Sequence, residues 1–310
     1  MTGRLSLFPL TAEVNSQGHL VIGGCDSVEL ASEFGTPLYV FDEFSLRQRC
    51  AEFRTEFGQR YPDIAVIYAA KAFINKALAL MLQEEGLGLD VVSAGELGIA
   101  RSAGFPLYKV YFHGNNKSAE EVSLALEWHI GCIVVDNFHE LAMLGEMADE
   151  KDCIPDILLR LTPGVDPHTH RHITTGVVDS KFGFPLTSWE EAVAKAMSAP
   201  RLNLVGLHFH LGSLIFEVEP YQEAIEIVLN FAAEMKQKHG LELRELNIGG
   251  GFAIQYTLDS PPPPIAAYAE VIGSKVISKC RELGLALPRL IVEPGRAIVG
   301  QAGVALYKIG

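Results

Sequence analysis

Short apolar runs rich in β-branched residues alternate with longer amphipathic stretches along most of the chain. Between the runs, apolar residues recur at three- and four-residue spacing, as in NKALALMLQEEG, which predicts amphipathic helices. The runs are nearly continuous in apolar residues, a pattern typical of parallel strands buried on both faces. In chain order they are IAVIYAA (64–70), LGLDVV (87–92), KVYFHG (109–114), CIVVDN (132–137), DILLRLT (156–162), NLVGLHFHL (203–211), RELNIGGG (244–251) and LIVEPG (290–295).

Eight strand–helix units predict an α/β fold in the form of a (β/α)8, TIM-like barrel. A doubly wound open sheet is the alternative, but that architecture places a glycine-rich turn after its first strand. Here the first strand is followed by Lys71. We therefore assign residues 42–296 to the barrel.

The two ends of the chain predict strands that lie outside the barrel. Residues 1–41 contain GHLVIGG and TPLYVFD, and we assign them to N-terminal strands of a β domain. Residues 297–310, AIVGQAGVALYKIG, also predict a strand, for which the sequence shows no evident partner. We expect this last segment to begin a C-terminal β domain whose remainder is absent, so that the second domain is incomplete.

The composition is that of an ordinary globular protein, with 310 residues, 48% hydrophobic and 20% charged. A formal net charge of −13 opposes binding to nucleic acid and to anionic membrane surfaces. The N-terminal MTGRLSLFPL lacks the apolar core of a signal peptide, and no apolar run reaches the length of about 18 residues that predicts a membrane span. Five widely spaced cysteines without a CxxC pair indicate reduced thiols. We expect a cytoplasmic protein.

The carboxyl ends of barrel strands carry the active site in this architecture, so the residues there are the candidates for chemistry. The first strand ends in YAAKAF, which places Lys71 at the barrel mouth. A lysine in this position either extends its amine into solvent or is a desolvated amine with a lowered pKa, suited to forming a Schiff base.

The last two strands end in residues that suit an anion. Gly249, Gly250 and Gly251 lack side chains, so their backbone N–H groups can approach a phosphate closely. The eighth strand ends in Glu293-Pro294-Gly295-Arg296, whose guanidinium offers a planar fork for phosphate or carboxylate. Barrels often bind phosphate in the loops after these two strands. Position and chemistry therefore agree on a phosphate site.

Other polar residues at strand ends have two interpretations each. His208 and His210 form an HxH pair that is either a metal pair or one packed and one ring-stacking histidine, and Ser213 can donate to phosphate. Asp90 and Arg160, at the second and fifth strands, are each more often structural ion-pair members than catalysts. Glu293, in contrast, either pairs with Arg296 or keeps a pyridine nitrogen protonated, which makes the ring an electron sink.

The sequence resembles the fold-type III decarboxylases that use pyridoxal phosphate, which share the alanine racemase-like barrel, and most closely the diaminopimelate decarboxylases. The matching segments follow the order of the family and span almost the whole chain. HGNNKS favours diaminopimelate over ornithine as the substrate. The segments are GTPLYVFDE, YAAKAF, GLGLDVVSAGEL, FHGNNKS, RLTPGVDPHTH, SKFG, HFHLGS, LNIGGGF and EPGR.

The resemblance implies a role for each site residue. Lys71 would form the covalent link to the cofactor, Glu293 would pair with its pyridine nitrogen, and His210 would stack on its ring; these three are the expected catalytic residues. Arg296 would also contact the substrate carboxylate. The full expected cofactor-binding set is Lys71, Asp90, His210, Ser213, Gly250, Gly251, Glu293, Gly295 and Arg296, with no metal ion.

The implied reaction removes the carboxylate at the D-centre of meso-diaminopimelate and gives L-lysine and CO2, the last step of lysine biosynthesis. The family also implies a homodimer with shared active sites, completed by residues beyond position 310. We therefore expect the 310-residue chain to have little activity of its own.

Two further functions remain open from the sequence. A metal-dependent barrel hydrolase would use HxH, but on the first strand rather than the sixth. The nearby His168, His170 and His172 suit a metal less well than a solvated polar loop. The second alternative is a non-catalytic relative that binds a partner or only the cofactor.

Overall fold

A computed structural model describes residues 5–166 and 181–310, and the cluster of His168, His170 and His172 lies outside them. The strands are β1 (Glu13–Val14), β2 (Leu20–Ile22), β3 (Cys25–Asp26), β4 (Leu38–Phe41), β5 (Ile64–Ala69), β6 (Gly88–Val91), β7 (Val110–Phe112), β8 (Cys132–Val135), β9 (Asp156–Thr162), β10 (Phe184–Pro185), β11 (Asn203–Phe209), β12 (Glu245–Asn247), β13 (Arg289–Val292) and β14 (Gly303–Leu306).

The α-helices alternate with these strands, and short 3-10 turns occur at Leu5–Leu7, Ala70–Ala72, Leu107–Lys109 and Leu186–Ser188. The helices are α1 (Ser27–Phe34), α2 (Glu43–Gly58), α3 (Lys76–Glu84), α4 (Ala94–Ser102), α5 (Ala119–Glu127), α6 (Phe138–Glu150), α7 (Trp189–Ser198), α8 (Glu219–His239), α9 (Ile265–Leu283) and α10 (Arg296–Val299). No helix among the described residues is long and apolar enough to cross a membrane.

Eight parallel strands close into a barrel in the order β5-β6-β7-β8-β9-β11-β12-β13, and β10 adds a short ninth strand beside β9. β13 pairs with β5, where Leu290 lies opposite Ile64. This pairing closes the sheet and excludes the open-sheet alternative. Each of the eight apolar runs contains one barrel strand, so the predicted (β/α)8 architecture is confirmed.

Side-chain caps define where the barrel helices begin. Asn75, Ser93, Ser118 and Asn137 each accept a hydrogen bond from a backbone N–H in the first turn of α3, α4, α5 and α6. A cap of this kind stabilises a helix by about 1 kcal/mol. These capping residues therefore fix where each of the four helices begins after the preceding strand.

The core has an outer layer between strands and helices and a smaller cluster inside the barrel. The inner cluster contains Tyr111, Cys132, Leu158 and Ile291 and fills the amino-terminal part of the barrel. Because inward-facing residues recur every second position, the polar side chains at the carboxyl ends of the strands sit above an apolar plug.

The chain ends pair with each other outside the barrel. β1, β2 and β3 form a small antiparallel sheet, and β14 pairs antiparallel with β4, with Gly303 opposite Phe41 and Leu306 opposite Leu38. The expectation that the last segment lacks a partner was therefore wrong. Its first residues form α10 rather than strand, since a short apolar run does not distinguish the two by periodicity.

Candidate active site

A cavity of about 290 Å³ opens at the carboxyl ends of the barrel strands. It brings together seven of the nine predicted cofactor-binding residues, although they come from four distant parts of the sequence. Its lining is Ala69, Lys71, Ala72, His210, Ser213, Leu214, Gly251, Phe252, Glu293, Gly295, Arg296 and Ala297. Asp90 and Gly250 lie directly behind this wall.

Lys71 is presented to the cavity by the 3-10 turn that follows β5. Its Nζ donates a hydrogen bond of 2.8 Å to Oδ2 of Asp90, which is fully buried on β6. Burial acts to lower the pKa of Lys71, but the charges of Asp90 and Glu293 outweigh it and the pKa is raised. The predicted lowered pKa was wrong because the sequence did not show how close these carboxylates lie.

Glu293, which follows β13, is buried and surrounded by donors. Asn247 Nδ2 donates to its Oε1 at 2.7 Å, and Nε2 of His113 lies 2.9 Å from the same oxygen. His208 Nε2 lies 3.5 Å from Oε2. Burial acts to raise the pKa of Glu293, but the two histidines hold it well below its usual range. Glu293 is therefore a carboxylate.

The alternative interpretation, a pairing of Glu293 with Arg296, is not found among the described ion pairs. The guanidinium of Arg296 instead donates from Nη1 to the hydroxyl of Tyr256 at 3.1 Å, on the exposed side of the cavity. Arg296 is thus available to a ligand's anionic group, while Glu293 remains inside the barrel.

The HxH pair separates into two roles. His208 is buried, and its ring packs edge-on against His113 with centroids 4.9 Å apart. His210 lines the cavity, and its Nδ1 accepts the N–H of Gly250 at 3.1 Å. Burial lowers the pKa of His208 to about 4 and that of His210 to about 3, so both rings are neutral at pH 7. His208 is the packed histidine of the second interpretation; that His210, on the cavity wall, stacks on a ring stays a prediction.

Part of the cavity wall is built from glycines that admit no side chain. A Cβ on Gly251 would lie 2.6 Å from the carbonyl oxygen of Gly212, and one on Gly295 would lie 3.0 Å from the Cβ of Ala69. Only a bare backbone fits here, beside the Ser213 hydroxyl and the Arg296 guanidinium. These donors fit a phosphate group.

Gly250 contributes differently from the prediction. Its N–H is already used by His210, and its carbonyl oxygen accepts the buried hydroxyl of Tyr221 at 2.8 Å. A Cβ at this position would lie 2.2 Å from the carbonyl oxygen of Glu293. Gly250 therefore packs the seventh strand's turn against Glu293 and orients His210.

Arg160 lies in a structural ion pair, as its more common role predicts. Its Nη1 is 3.6 Å from Oδ1 of Asp136, and its guanidinium covers the ring of Phe182 at 4.4 Å. Burial lowers the pKa of Arg160. Asp90, in contrast, pairs with Lys71 and belongs to the site itself.

Two buried site residues were not identified from the sequence, His113 and Asn247. Both residues lie in segments noted in the sequence, FHGNNKS and LNIGGGF, but neither was assigned a role there. His113 directly follows β7 and Asn247 is the last residue of β12, so the rule that strand ends carry the site would have found both. What the sequence lacked was the distance from each residue to Glu293.

The sequence profile of the family described as "Pyridoxal-dependent decarboxylase, pyridoxal binding domain" matches residues 44–300. The diaminopimelate decarboxylase of Bacillus methanolicus is 45% identical over 302 residues, which cover 97% of this chain and 70% of that protein. The corresponding protein of Bacillus subtilis (strain 168) is 44% identical, with 97% and 69% covered.

Solved structures of diaminopimelate decarboxylases share this fold. The enzyme from M. jannaschii, in co-complex with L-lysine, superposes with a TM-score of 0.88 at 35% identity, over 96% of this chain and 69% of that one. The Helicobacter pylori enzyme complexed with L-lysine gives a TM-score of 0.80 at 30% identity, over 92% and 71%. From profile, sequence and fold together, the chain belongs to the diaminopimelate decarboxylases, a family of barrel enzymes that use pyridoxal phosphate.

Proposed function

We propose that this chain decarboxylates meso-diaminopimelate to L-lysine and CO2, the last step of lysine biosynthesis, with pyridoxal phosphate in the barrel-mouth cavity. The observation that carries the proposal is the arrangement of Lys71, paired with Asp90, and the ionised Glu293 around one cavity with a glycine-lined wall. Two related structures hold L-lysine, the product of this reaction.

The residues present fit the cofactor at both of its ends. Lys71 offers the amine for a Schiff base at the cavity edge. Ser213, Gly251, Gly295 and Arg296 line the proposed phosphate position, and a Cβ on either glycine would collide with the protein atoms packed around it. Bound pyridoxal phosphate supplies an electron sink for the pair left behind when CO2 departs.

Asp90 controls the charge on Lys71. The raised pKa keeps the Lys71 amine protonated at neutral pH, so the amine must release a proton before it attacks a carbonyl carbon. Asp90 Oδ2, at 2.8 Å, lies where it can stabilise a positive nitrogen before and after that attack. Removal of Asp90 would leave Lys71 without its nearest counter-charge.

The other roles in the site belong to three residues: Glu293, His210 and Arg296. The Glu293 carboxylate favours a protonated pyridine nitrogen, which is the condition for withdrawing electrons from the substrate. The neutral ring of His210 provides a flat, uncharged surface at the cavity wall. Arg296, whose guanidinium reaches the cavity from the exposed side, suits a substrate carboxylate.

Borohydride reduction tests the proposal at Lys71. The purified chain with pyridoxal phosphate should show a visible absorption band that borohydride removes, with the label on Lys71. It should also release L-lysine and CO2 from meso-diaminopimelate, in contrast to the little activity that the family resemblance alone implied. Lys71→Ala should abolish both, whereas Lys76→Ala, five positions along on an exposed helix start, should keep both. A labelled lysine other than Lys71 would overturn the assignment, and a band without CO2 would favour the non-catalytic binder.

The family resemblance also supports a homodimer with shared active sites and a second β domain that contains residues 297–310. Light scattering of the purified protein would test the dimer. All five cysteines are free, which suits the reducing cytoplasm that the sequence predicts.

A further inference from the structure

His113 occupies a position between the two buried carboxylates of the site. Its Nε2 lies 2.9 Å from Oε1 of Glu293 and 3.8 Å from Oδ1 of Asp90. Neither contact has the alignment of a hydrogen bond, and both His113 Nε2 and Asp90 Oδ1 are buried atoms without another described partner. The ring nitrogen therefore faces two buried acids at close range.

The two acids have separate tasks that require them to stay apart. The second oxygen of Asp90 binds Lys71, and the oxygen of Glu293 that faces His113 also accepts from Asn247. Both carboxylates are nearly fully buried, where like charges repel strongly. The ring nitrogen of His113 lies between the two acids and keeps them apart.

The ring of His113 is held by its surroundings rather than by solvent. The backbone N–H of His113 donates to the carbonyl oxygen of Val91 at 2.8 Å, which fixes the main chain there, and the His208 ring packs edge-on against the His113 ring at 72°. Among the described residues, the other charged groups that interact with this cluster include Lys71, Arg160 and Glu96. Nε2 of His113 lies within ion-pair distance of both Asp90 and Glu293, whereas Nε2 of His208 is described near Glu293 alone.

We propose that His113 is a positioning residue whose Nε2 holds Glu293 toward the pyridine nitrogen of the cofactor and separates it from the Asp90–Lys71 pair. The inference rests on the proposed function, because it assumes that Glu293 serves that nitrogen. His113 acts through Glu293 and touches neither substrate nor cofactor in this assignment.

Two amide substitutions at His113 distinguish positioning from mere filling of space. The side-chain nitrogen of His113→Gln reaches the place of Nε2, whereas that of His113→Asn reaches only the place of Nδ1. The control is Tyr111→Phe, two residues earlier and on β7, which removes a donor to partly buried Glu245 (2.9 Å) at the other end of the barrel.

The holoenzymes are compared by the visible band of the bound cofactor, by kcat and KM, and by thermal unfolding. We expect His113→Asn to move the band to shorter wavelength and to lower kcat about 10- to 100-fold with a smaller change in KM, the scale of one lost charge-assisted contact. His113→Gln and Tyr111→Phe should stay close to the wild-type band and kcat.

Several results would overturn the inference. One is a folded His113→Asn protein with the wild-type band and kcat, and another is equal loss in the Asn and Gln variants. If His113→Asn does not fold, a shifted band in folded His113→Gln alone contradicts the inference, and an unshifted band supports it. Failure of the proposed function is seen separately, as a wild-type protein with neither band nor lysine.

Discussion

Replacement of Gly250 by alanine tests how tightly the glycine turn after β12 (Gly249, Gly250 and Gly251) is packed against Glu293. The added Cβ would lie 2.2 Å from the Glu293 carbonyl oxygen, whereas a contact under 3.0 Å requires one of the atoms to move. The Cβ would be fixed to the turn after β12, and the oxygen belongs to the backbone that follows β13, so the clash cannot be relieved by rotating a side chain. The turn itself must shift.

That shift would break two hydrogen bonds, from Gly250 N–H to His210 and from the Tyr221 hydroxyl to the Gly250 carbonyl. Overpacking of this kind costs about 1–3 kcal/mol, and a lost hydrogen bond adds about 1 kcal/mol. With both hydrogen bonds lost, we expect Gly250→Ala to lower the free energy of unfolding by about 3–5 kcal/mol in total. The affinity for pyridoxal phosphate should fall about tenfold, because His210 loses its orientation.

Urea unfolding of the cofactor-free protein and spectroscopic titration with pyridoxal phosphate would measure these changes. Gly98→Ala is the matched control, since a Cβ there meets no atom within 4 Å and the residue lies inside α4. Alanine in a helix interior should stabilise that variant by up to about 1 kcal/mol. If Gly250→Ala matched Gly98→Ala in both stability and affinity, the packing argument would be refuted.

Three further predictions concern buried charges. Glu293→Gln should lower kcat and kcat/KM together, by about two orders of magnitude, with a smaller loss of cofactor affinity, and unchanged steady-state kinetics would rule out the electron-withdrawing role. Lys117→Met should cost about 3–5 kcal/mol in urea unfolding because it leaves the buried Glu140, 2.7 Å away, without its cation, whereas exposed Lys195→Met should cost less than about 1 kcal/mol. Burial lowers the pKa of His208 from 6.5 to about 4, so unfolding takes up a proton at this ring below pH 6.5. The resulting contribution to the free energy of unfolding, about 3 kcal/mol, is complete above pH 6.5 and is lost between pH 6.5 and 4. His208→Gln should therefore lose stability less steeply over that pH range, and an equal slope would contradict this account.

The barrel could be predicted from the sequence because parallel strands buried on both faces have a distinctive composition. Lys71 and Glu293 could be placed at the mouth because each directly follows such a strand. The charge state of Lys71 could not be predicted, since it depends on the 2.8 Å distance to Asp90, which lies on another strand.

Pairings between residues far apart in the sequence also could not be predicted. The partner of β14 is β4, near the opposite end of the sequence, and an apolar strand pattern does not specify which edge it joins. His113 was missed for a related reason. A lone histidine after a strand has no distinctive pattern, and its importance appears only when Glu293 and Asp90 lie on either side of it.

The pairing of β13 with β5 also sets the time at which the barrel can form during synthesis. Asp63 and Arg289, which meet beside this seam, are 226 residues apart. At a synthesis rate of about 5–20 residues per second, β5 leaves the ribosome on the order of 10–45 seconds before its second neighbour. During that interval the edge of β5 that will later pair with β13 is exposed and can pair with other chains. The barrel therefore closes only if association with other chains is slow or if chaperones prevent it. Contacts of such long range also predict slow refolding from denaturant, even though the entropy of closing a longer loop grows only logarithmically.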